Sequence, residues 1–305
     1  MYSQPEIKAV GLDTFLKLSL PKKDKIMSPW LDSSSLNMIH APRGIGKTHV
    51  AIGIAYALAT GGEFLCWKVP SPKKVLYIDG EMTASAMQDR FNKKLNDAVL
   101  LQSTLTNLSI ITPDLQERLM PDLASAKGQL DISKHTDLAD VIIVDNLSCL
   151  VRSSADENSA ESWNTVLEWS LKMKRERRAV IFIHHSGKSG QQRGTSRKED
   201  SLDVVINLRR PENYCPTMGA RFEVHYEKNR EWAGKEAKPF VAQLTQLESG
   251  EYQWVTSPSE SSTRDRVIEA YKRGCTNNSE IAKEIGVDRT TVFRHAQDAK
   301  HAGEL

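Results

Sequence analysis

The feature that most constrains this chain is the stretch at residues 41–48, which reads Ala-Pro-Arg-Gly-Ile-Gly-Lys-Thr. A glycine-rich turn between a strand and a helix points successive backbone N–H groups at one anion, and the positive helix N-terminus adds to the attraction. The apolar run at 36–39 predicts the strand before this turn, and the apolar run at 50–58 predicts the helix after it. The stretch therefore predicts a loop that holds the phosphates of a nucleotide.

The residues of this loop have distinct expected parts. Lys47 is expected to reach the β- and γ-phosphates, and the hydroxyl of Thr48 is expected to hold Mg²⁺. Ala41 stands where such loops usually begin with glycine, and a small side chain fits there if its φ is negative. The alternative is a chance Gly-Lys-Thr in an ordinary loop. The other expected nucleotide contacts are Pro42, Arg43, Gly44, Ile45, Gly46 and His49.

The composition is that of a globular chain with no strong charge bias. Its 305 residues suffice for one substantial α/β domain and a small appendage. The 41 lysines and arginines nearly balance the 39 aspartates and glutamates, so a surface that binds nucleic acid would have to be local. The four cysteines show no C-x-x-C pairing, which argues against a zinc site or a disulfide framework. Without a signal peptide or an apolar run of about 18 residues, the chain is expected to be cytoplasmic and to have no membrane partner.

Apolar segments of strand length alternate with helical ones, the pattern of a mainly parallel sheet covered by helices. The strongest is Val-Ile-Ile-Val at 141–144, as expected for a strand buried on both faces. The segment at 112–140 shows no clear pattern. The expected fold class is α/β. The other expected strands lie at 75–79, 108–111, 179–184, 202–208 and 221–226, and the expected helices lie at 85–95 and 161–175.

Polar residues follow several of these strands, at the sheet edge where open α/β sheets bind ligands. Asp145 ends the strongest strand and is expected to orient Mg²⁺ together with Thr48. Glu81 is a candidate for polarising the water that attacks a γ-phosphate. Either His184 or His185 could donate to that phosphate and report its loss. The plainer alternatives are an Asp that caps a turn, an ordinary Glu after a strand, and histidines of the core or of a turn.

The order of these motifs resembles the RecA-like ATPase core, particularly the RepA-like and DnaB-like hexameric replicative helicases, over about residues 30–245. In that family the phosphate loop is followed by a strand near a catalytic glutamate, here Glu81, and then by the aspartate strand that ends at Asp145. The next strand ends in a γ-phosphate sensor, and the resemblance assigns that role to His185. It implies a RecA-like core of three layers, with ATP and Mg²⁺ as cofactors and Lys47 among the catalytic residues.

The resemblance extends to a loop at 186–200. In RecA-like rings the corresponding loop faces the central channel and holds single-stranded DNA. Cations there would contact phosphates without reading bases, which gives salt-sensitive binding of low sequence specificity. The alternative is a solvated loop with ordinary surface charge. The cations of this loop are Lys188, Arg193, Arg197 and Lys198.

The segment Glu-Lys-Asn-Arg at 227–230 resembles the Lys-x-Arg pair that such rings insert into a neighbour's nucleotide site. Arg230, together with Lys228, would stabilise charge of the transition state in trans, an effect of roughly 10³-fold or more in rate. The active enzyme would then be a homo-oligomer, and the resemblance implies a hexamer.

The expected organisation is an N-terminal arm at 1–28, a RecA-like ATPase domain at 29–255, a linker at 256–262 and a small all-α helix-turn-helix domain at 263–305. An apolar patch in the arm either docks on the adjacent subunit or packs on the chain's own core. The patch consists of Leu12, Phe15, Leu16 and Leu18.

The C-terminal segment predicts helices at 264–272, 279–285 and 289–299, with Gly286 in the turn before the last helix. Residues 258–305 contain as many acidic as basic residues, so the module either docks weakly on DNA or binds protein. The candidates for contact with the major groove or the DNA backbone are Arg289, Thr290, Thr291, Arg294 and His295.

Two classes of function fit these features. The first is a ring-forming, ATP-driven helicase or helicase-like motor in plasmid, phage or mobile-element DNA replication. The second is a non-translocating, DNA-binding ATPase switch in recombination, repair or transcription regulation. The helix-turn-helix favours the switch, whereas Lys228 and Arg230 do not discriminate between the two. A metabolic P-loop kinase ranks last, because no acceptor site is recognisable.

Overall fold

Parallel strands form the centre of the fold. The structure, a computed structural model, describes residues 7–95, 106–152, 160–186, 200–211, 214–248, 252–259, 263–301 and 305. The strands are β1 (Lys25–Met27), β2 (Leu31–Asp32), β3 (Leu36–Ala41), β4 (Gly62–Phe64), β5 (Trp67–Val69), β6 (Val75–Asp79), β7 (Leu108–Ile111), β8 (Val141–Asp145), β9 (Ala179–His185), β10 (Val204–Arg209), β11 (Arg221–Asn229), β12 (Phe240–Gln246) and β13 (Tyr252–Pro258). The helices are α1 (Leu12–Lys17), α2 (Lys47–Thr60), α3 (Ala84–Leu95), α4 (Ala126–Thr136), α5 (Leu147–Leu150), α6 (Ala160–Arg175), α7 (Thr263–Lys272), α8 (Asn278–Ile285) and α9 (Arg289–His301).

Within the described residues, nine strands form one sheet in the order β13-β12-β11-β10-β3-β9-β8-β6-β7. The strands from β10 to β7 in this order run parallel, and β11, β12 and β13 extend the sheet in antiparallel fashion. β3, β6 and β8 are buried along their whole length, because helices cover both faces of the sheet there. The predicted α/β fold with a mainly parallel sheet is confirmed.

Each face of the sheet packs against its own helix. On one face, α2 packs Ile54 and Leu58 into the same core as Ile39 of β3. On the other face, α6 packs Val166 into a second core with Met38 of β3. Because neighbouring residues of one strand enter opposite cores, the strand carries the loop at 41–48 in a fixed orientation between two helical layers.

The segment at 112–140 contains a helix that the sequence pattern does not predict. Ser125 begins α4 by accepting a hydrogen bond from the backbone N–H of Gly128 at 3.0 Å. A Cβ on Gly128 would lie 2.1 Å from the carbonyl oxygen of Asp122, so glycine permits this close approach. Ile132 is the large apolar side chain that α4 buries. Such a narrow apolar stripe explains why no helical pattern is visible.

The N-terminal arm forms the short helix α1, which buries none of its side chains. The expectation that its apolar patch packs on the chain's own core is therefore wrong for the described residues, and docking on an adjacent subunit stays a prediction. Ile26 and Met27 of β1, near the end of the expected arm, belong to the core. The exposed side chains of the patch are Leu12, Phe15, Leu16 and Leu18.

The three C-terminal helices are confirmed as α7, α8 and α9, and they pack around a small core of their own. Gly286 ends α8 with a φ of 80°, a left-handed conformation that favours glycine. Asp288 accepts a hydrogen bond from the N–H of Thr291 at 2.8 Å and so caps α9. The helix-turn-helix and the domain boundaries stay predictions. β13 extends to Pro258, which lies within the expected linker. Among the described residues, no helix is both long and apolar enough to cross a membrane.

Candidate nucleotide-binding site

The ends of four neighbouring strands bring the candidate residues to one edge of the sheet. β3 ends at Ala41, and the parallel register places His185, the last residue of β9, opposite it. β8 ends at Asp145, and the register places Asp79, the last residue of β6, opposite it. Side chains that are far apart in sequence therefore meet at the edge where open α/β sheets bind ligands.

The loop at 41–48 has a backbone shaped by its glycines. Gly44 and Gly46 take φ values of 75° and 109°, which favour glycine. Gly46 is also the N-cap of α2, so the first N–H groups of that helix lie at the loop. Ala41 closes β3 without a positive φ, so the missing first glycine is compatible with the turn. Ile45 packs its side chain into the core, which leaves its backbone for the expected nucleotide contact.

Lys47 is buried at the base of this loop. Its Nζ donates to the carbonyl oxygens of Ala41 at 3.0 Å and Pro42 at 2.8 Å. Burial lowers the pKa of Lys47 to about 8, although the nearby carboxylates of Asp145 and Glu81 favour the charged form. An anionic group bound in the loop would therefore stabilise the ammonium form.

Asp145 is buried and held from several sides. The hydroxyl of Tyr77 donates to its Oδ2 at 2.6 Å, and the hydroxyl of Thr48 lies near the carboxylate. Burial raises the pKa of Asp145, and the hydrogen bond from Tyr77, the charge of Lys47 and the nearby Thr48 oppose that effect. Tyr77 is a residue that the sequence motifs do not point to, and it fixes the direction of this carboxylate.

The contact between Thr48 and Asp145 offers a hydroxyl and a carboxylate, the kind of oxygen ligands that Mg²⁺ prefers. No cluster of three His, Cys, Asp or Glu side chains suited to a metal ion occurs in the described part of the chain. Mg²⁺ at this position would therefore take further ligands from water and from nucleotide phosphates, as is usual for this ion.

Asp79 supports the turn that carries Glu81. Its Oδ2 accepts hydrogen bonds from the N–H of Met82 at 3.0 Å and from the hydroxyl of Thr112 at 3.3 Å. Burial, together with the neighbouring charge of Asp145, raises the pKa of Asp79 to about 6, and these hydrogen bonds moderate the increase. The turn after β6 is therefore anchored to β7 through Asp79.

Asn146 connects the two candidate residues for γ-phosphate chemistry. Its Nδ2 donates to Oε2 of Glu81 at 2.5 Å and lies 3.4 Å from Nε2 of His185. His185 Nε2 and Glu81 Oε2 are themselves 4.0 Å apart. Asn146 also caps α5 by accepting from the N–H of Cys149 at 3.1 Å, which fixes its amide. The structure thus brings the predicted water-polarising residue and the predicted sensor together, with Asn146 between them.

Arg210 is a cation near the loop that the motifs do not identify. It follows β10, and its Nη2 lies 3.9 Å from the place that a Cβ would take on Gly44. Its guanidinium carbon stands 4.8 Å from the centre of the Tyr214 ring, a contact that favours this orientation. Only the pairing of β10 with β3 places this arginine beside the loop.

Lys228 and Arg230 lie away from the side chains that gather at the sheet edge around the loop at 41–48. Lys228 pairs with Val205, which in turn lies opposite Met38 on β3. Met38 is three residues before Ala41 on β3, a distance of about 10 Å along the strand. Both cations are instead directed to the carbonyl oxygen of Asp200, with Lys228 Nζ at 3.1 Å and Arg230 Nη2 at 2.6 Å.

The candidate DNA-binding residues divide into two sets. The four in the loop at 186–200 lie outside the described residues: Lys188, Arg193, Arg197 and Lys198. On α9, three of the candidates are exposed: Arg289, Thr290 and Arg294. Thr291 is half-buried, and its hydroxyl donates to Asp288 at 2.7 Å, so it serves the helix cap. Phe293, which was not among the candidates, is 52% exposed on the same helix.

Comparisons with known proteins agree with this architecture. The sequence profile of the AAA domain family matches residues 3–191. No curated protein sequence matches the chain. The solved structure of the KaiC-like protein PH0186 from the hyperthermophilic archaeon Pyrococcus horikoshii OT3 is similar, with a TM-score of 0.52 and 13% identity over 77% of this chain and 94% of that one. The flagellar accessory protein FlaH from Methanocaldococcus jannaschii has a TM-score of 0.50 and 16% identity over 73% and 89% of the respective chains. The shared fold is that of RecA-like P-loop ATPases.

Removing the hydroxyl of Tyr77 is expected to weaken Mg²⁺ binding. Tyr77→Phe keeps the ring in the core but removes a donor to Asp145. The Mg²⁺ concentration that half-saturates Mg²⁺-dependent binding of a fluorescent ATP analogue should rise about tenfold or more, the usual cost of losing a group that orients a metal ligand. Tyr271→Phe, which removes a hydroxyl with an equally short bond to Asn278, is the control. An unchanged Mg²⁺ requirement in folded Tyr77→Phe would contradict this role.

Nucleotide affinity is expected to fall above pH 8. Below that pH, Lys47 already carries its proton, whereas above it the free protein must take up a proton to hold a phosphate. The dissociation constant of the ATP analogue should therefore rise by up to about tenfold for each further pH unit. Lys47→Arg stays charged and should show a flat profile between about pH 7 and 9.5. A flat profile in the wild type would exclude the low pKa of Lys47.

Proposed function

We propose that this chain, which belongs to the AAA domain family, hydrolyses ATP, binds DNA and works as a homo-oligomer, in the manner of a ring-forming helicase or helicase-like motor. The observation that carries the proposal is the convergence of five side chains on one sheet edge. They are Lys47, Thr48, Glu81, Asp145 and His185. This set supplies a phosphate-binding cation, two Mg²⁺ ligands, a carboxylate for water and a sensor.

In the proposed reaction, Lys47 holds the β- and γ-phosphates. Thr48 and Asp145 would hold Mg²⁺, and the ion would supply charge neutralisation for the phosphates. Glu81 orients a water molecule and accepts its proton. The water oxygen bonds to the γ-phosphorus, and the bond from that phosphorus to the bridging oxygen breaks, which yields ADP and phosphate. Asn146 keeps Glu81 near His185, so the loss of the γ-phosphate can be reported along β9.

The proposal assigns Lys228 and Arg230 to the site of the next subunit. Support comes from their place at the end of β11, which is remote from the loop of their own chain. A cation inserted in trans would stabilise the charge of the transferring phosphoryl group. The site would then be complete only between two subunits, and a ring of six would repeat the same contact.

DNA binding is proposed for the four cations of the loop at 186–200 and for the exposed face of α9. The second candidate function is a non-translocating, DNA-binding ATPase switch. It is favoured by the separate small core of α7, α8 and α9 together with the exposed Arg289 and Arg294. A motor converts each hydrolysis into movement along the strand, whereas a switch uses nucleotide state only to change its grip on DNA.

Hydrolysis is expected to require Lys47 and to be stimulated by single-stranded DNA. Phosphate release by the wild type and by Lys47→Ala would be measured without DNA, with single strands and with duplex, alongside a fluorescent strand-separation assay. Stimulation together with strand separation supports the motor. Stimulation without separation supports the switch, and equal turnover in Lys47→Ala contradicts the ATPase proposal altogether.

A further inference from the structure

The end of β11 carries a bulge next to the two cations proposed to act in trans. The register with β10 shifts between Val205 and Ile206, so Glu227 is an extra residue on β11. One inserted residue changes which face of the sheet the following side chains take, and bulges commonly re-aim side chains in this way. The placement of Lys228 and Arg230 therefore depends on how Glu227 is held.

Three donors hold the carboxylate of Glu227. Its Oε2 lies 2.7 Å from Nε2 of His40. Its Oε1 accepts from Asn207 Nδ2 at 2.7 Å and from Arg209 Nη2 at 2.6 Å. Burial by itself would raise the pKa of Glu227, but the hydrogen bonds from His40, Asn207 and Arg209 lower it to about 2. The bulge residue is therefore a fixed anion at neutral pH.

His40 connects this anion to the nucleotide-site edge. The ring is completely buried on β3, next to Ala41, and its Nδ1 lies 2.9 Å from the hydroxyl of Ser186. The N–H of Ser186 donates in turn to the carbonyl oxygen of Ala41 at 2.9 Å. A hydroxyl can donate or accept, so Ser186 satisfies Nδ1 while Nε2 donates to the carboxylate. Both nitrogens of the buried His40 ring thus have hydrogen-bond partners: Ser186, directly after β9, and Glu227 on β11.

The bulge sends both cations to the same place. Lys228 Nζ and Arg230 Nη2 converge on one acceptor, the carbonyl oxygen of Asp200, which precedes β10. The anchored Glu227 comes directly before this pair. Its fixed carboxylate therefore defines where the chain leaves β11 and on which face of the sheet the two cations lie.

We propose that His40 is a positioning residue for the trans-acting cations: by fixing the bulge at Glu227, it sets the place of Lys228 and Arg230 and is required for hydrolysis at the nucleotide site of the next subunit. The inference rests on the proposed function, because it needs Arg230 to act on a neighbour. It makes hydrolysis at the neighbour's nucleotide site depend on His40, although His40 lies beside the phosphate loop of its own chain. If His40 had a purely structural role, or a role in the loop of its own chain, its loss would not affect specifically the nucleotide site of the neighbouring subunit.

Mixed oligomers distinguish these roles. Lys47→Ala has a dead nucleotide site and intact cations, whereas Arg230→Ala has an intact site and lacks one of the cations. Neither should hydrolyse ATP well alone, and mixing the two should restore phosphate release. His40→Ala is expected to bind the fluorescent ATP analogue like the wild type and to lose about 10- to 100-fold in turnover, the cost of misplacing a catalytic group by about 1 Å.

The pattern of rescue decides the inference. Lys47→Ala subunits should rescue His40→Ala, because they bring correctly placed cations to its intact site. Arg230→Ala subunits should not rescue it, because both variants lack well-placed cations. Rescue by Arg230→Ala but not by Lys47→Ala would place the defect in the loop of the same chain and overturn the inference, as would wild-type turnover of His40→Ala.

Two further variants keep the test decisive. If His40→Ala does not fold, Glu227→Gln takes its place, since it keeps the side-chain size and should give the same rescue pattern. Met38→Ala, a buried change on the same face of β3, is the control for lost stability. It should lower the unfolding temperature and keep turnover below that temperature. Loss of turnover in Met38→Ala with the same rescue pattern would overturn the specific role of His40.

The same experiments distinguish a failure of the proposed function from a failure of the inference about His40. Full turnover of Arg230→Ala alone, or no rescue between Arg230→Ala and Lys47→Ala, would exclude trans action and remove the inference with it. Normal rescue in that pair, combined with the wrong pattern for His40→Ala, would overturn the inference alone.

Discussion

Parallel hydrogen bonding between β3 and its neighbours is the constraint on which the rest of the site depends. It aligns Ala41, at the entry to the loop, with His185, and brings the N–H of Ser186 to the carbonyl oxygen of Ala41. β8 and β6 continue the alignment to Asp145 and Asp79. A slip of one residue would turn each side chain to the opposite face. Such a slip would also exchange the residues that fill the two cores, so the packing of both cores keeps the chemistry in register.

Features carried by adjacent residues could be predicted from the sequence, and contacts between strands could not. The loop at 41–48 and Asp145 are visible because a turn type or an apolar run marks them. The bond between Tyr77 and Asp145 joins two strands, and no local pattern shows that they meet. His40 stands in an apolar strand and resembles ordinary core, because its partner Glu227 becomes a neighbour only once β10 is placed between β3 and β11.

The electrostatics of the edge fit a site that is shared between chains. Two buried carboxylates, Asp79 and Asp145, lie on adjacent strands, and burial raises the pKa of each. Lys47 is the buried cation beside Asp145, and its own pKa is lowered by burial. Lys228 lies about 10 Å along the strand direction from Ala41. Under the proposed function, it and Arg230 would add their charge to the site of a second chain. The described residues of one chain therefore bring together the candidates for the metal and for the water, with Lys47 and Arg210 as the cations near the loop.

The most direct test of this account is turnover per subunit as a function of protein concentration, measured as phosphate release at saturating MgATP and compared with oligomer size by sedimentation over the same range. A site shared between chains predicts that turnover per subunit rises with concentration in step with assembly and then reaches a plateau. Turnover per subunit that stays constant down to concentrations at which the chain is a monomer would contradict the shared site.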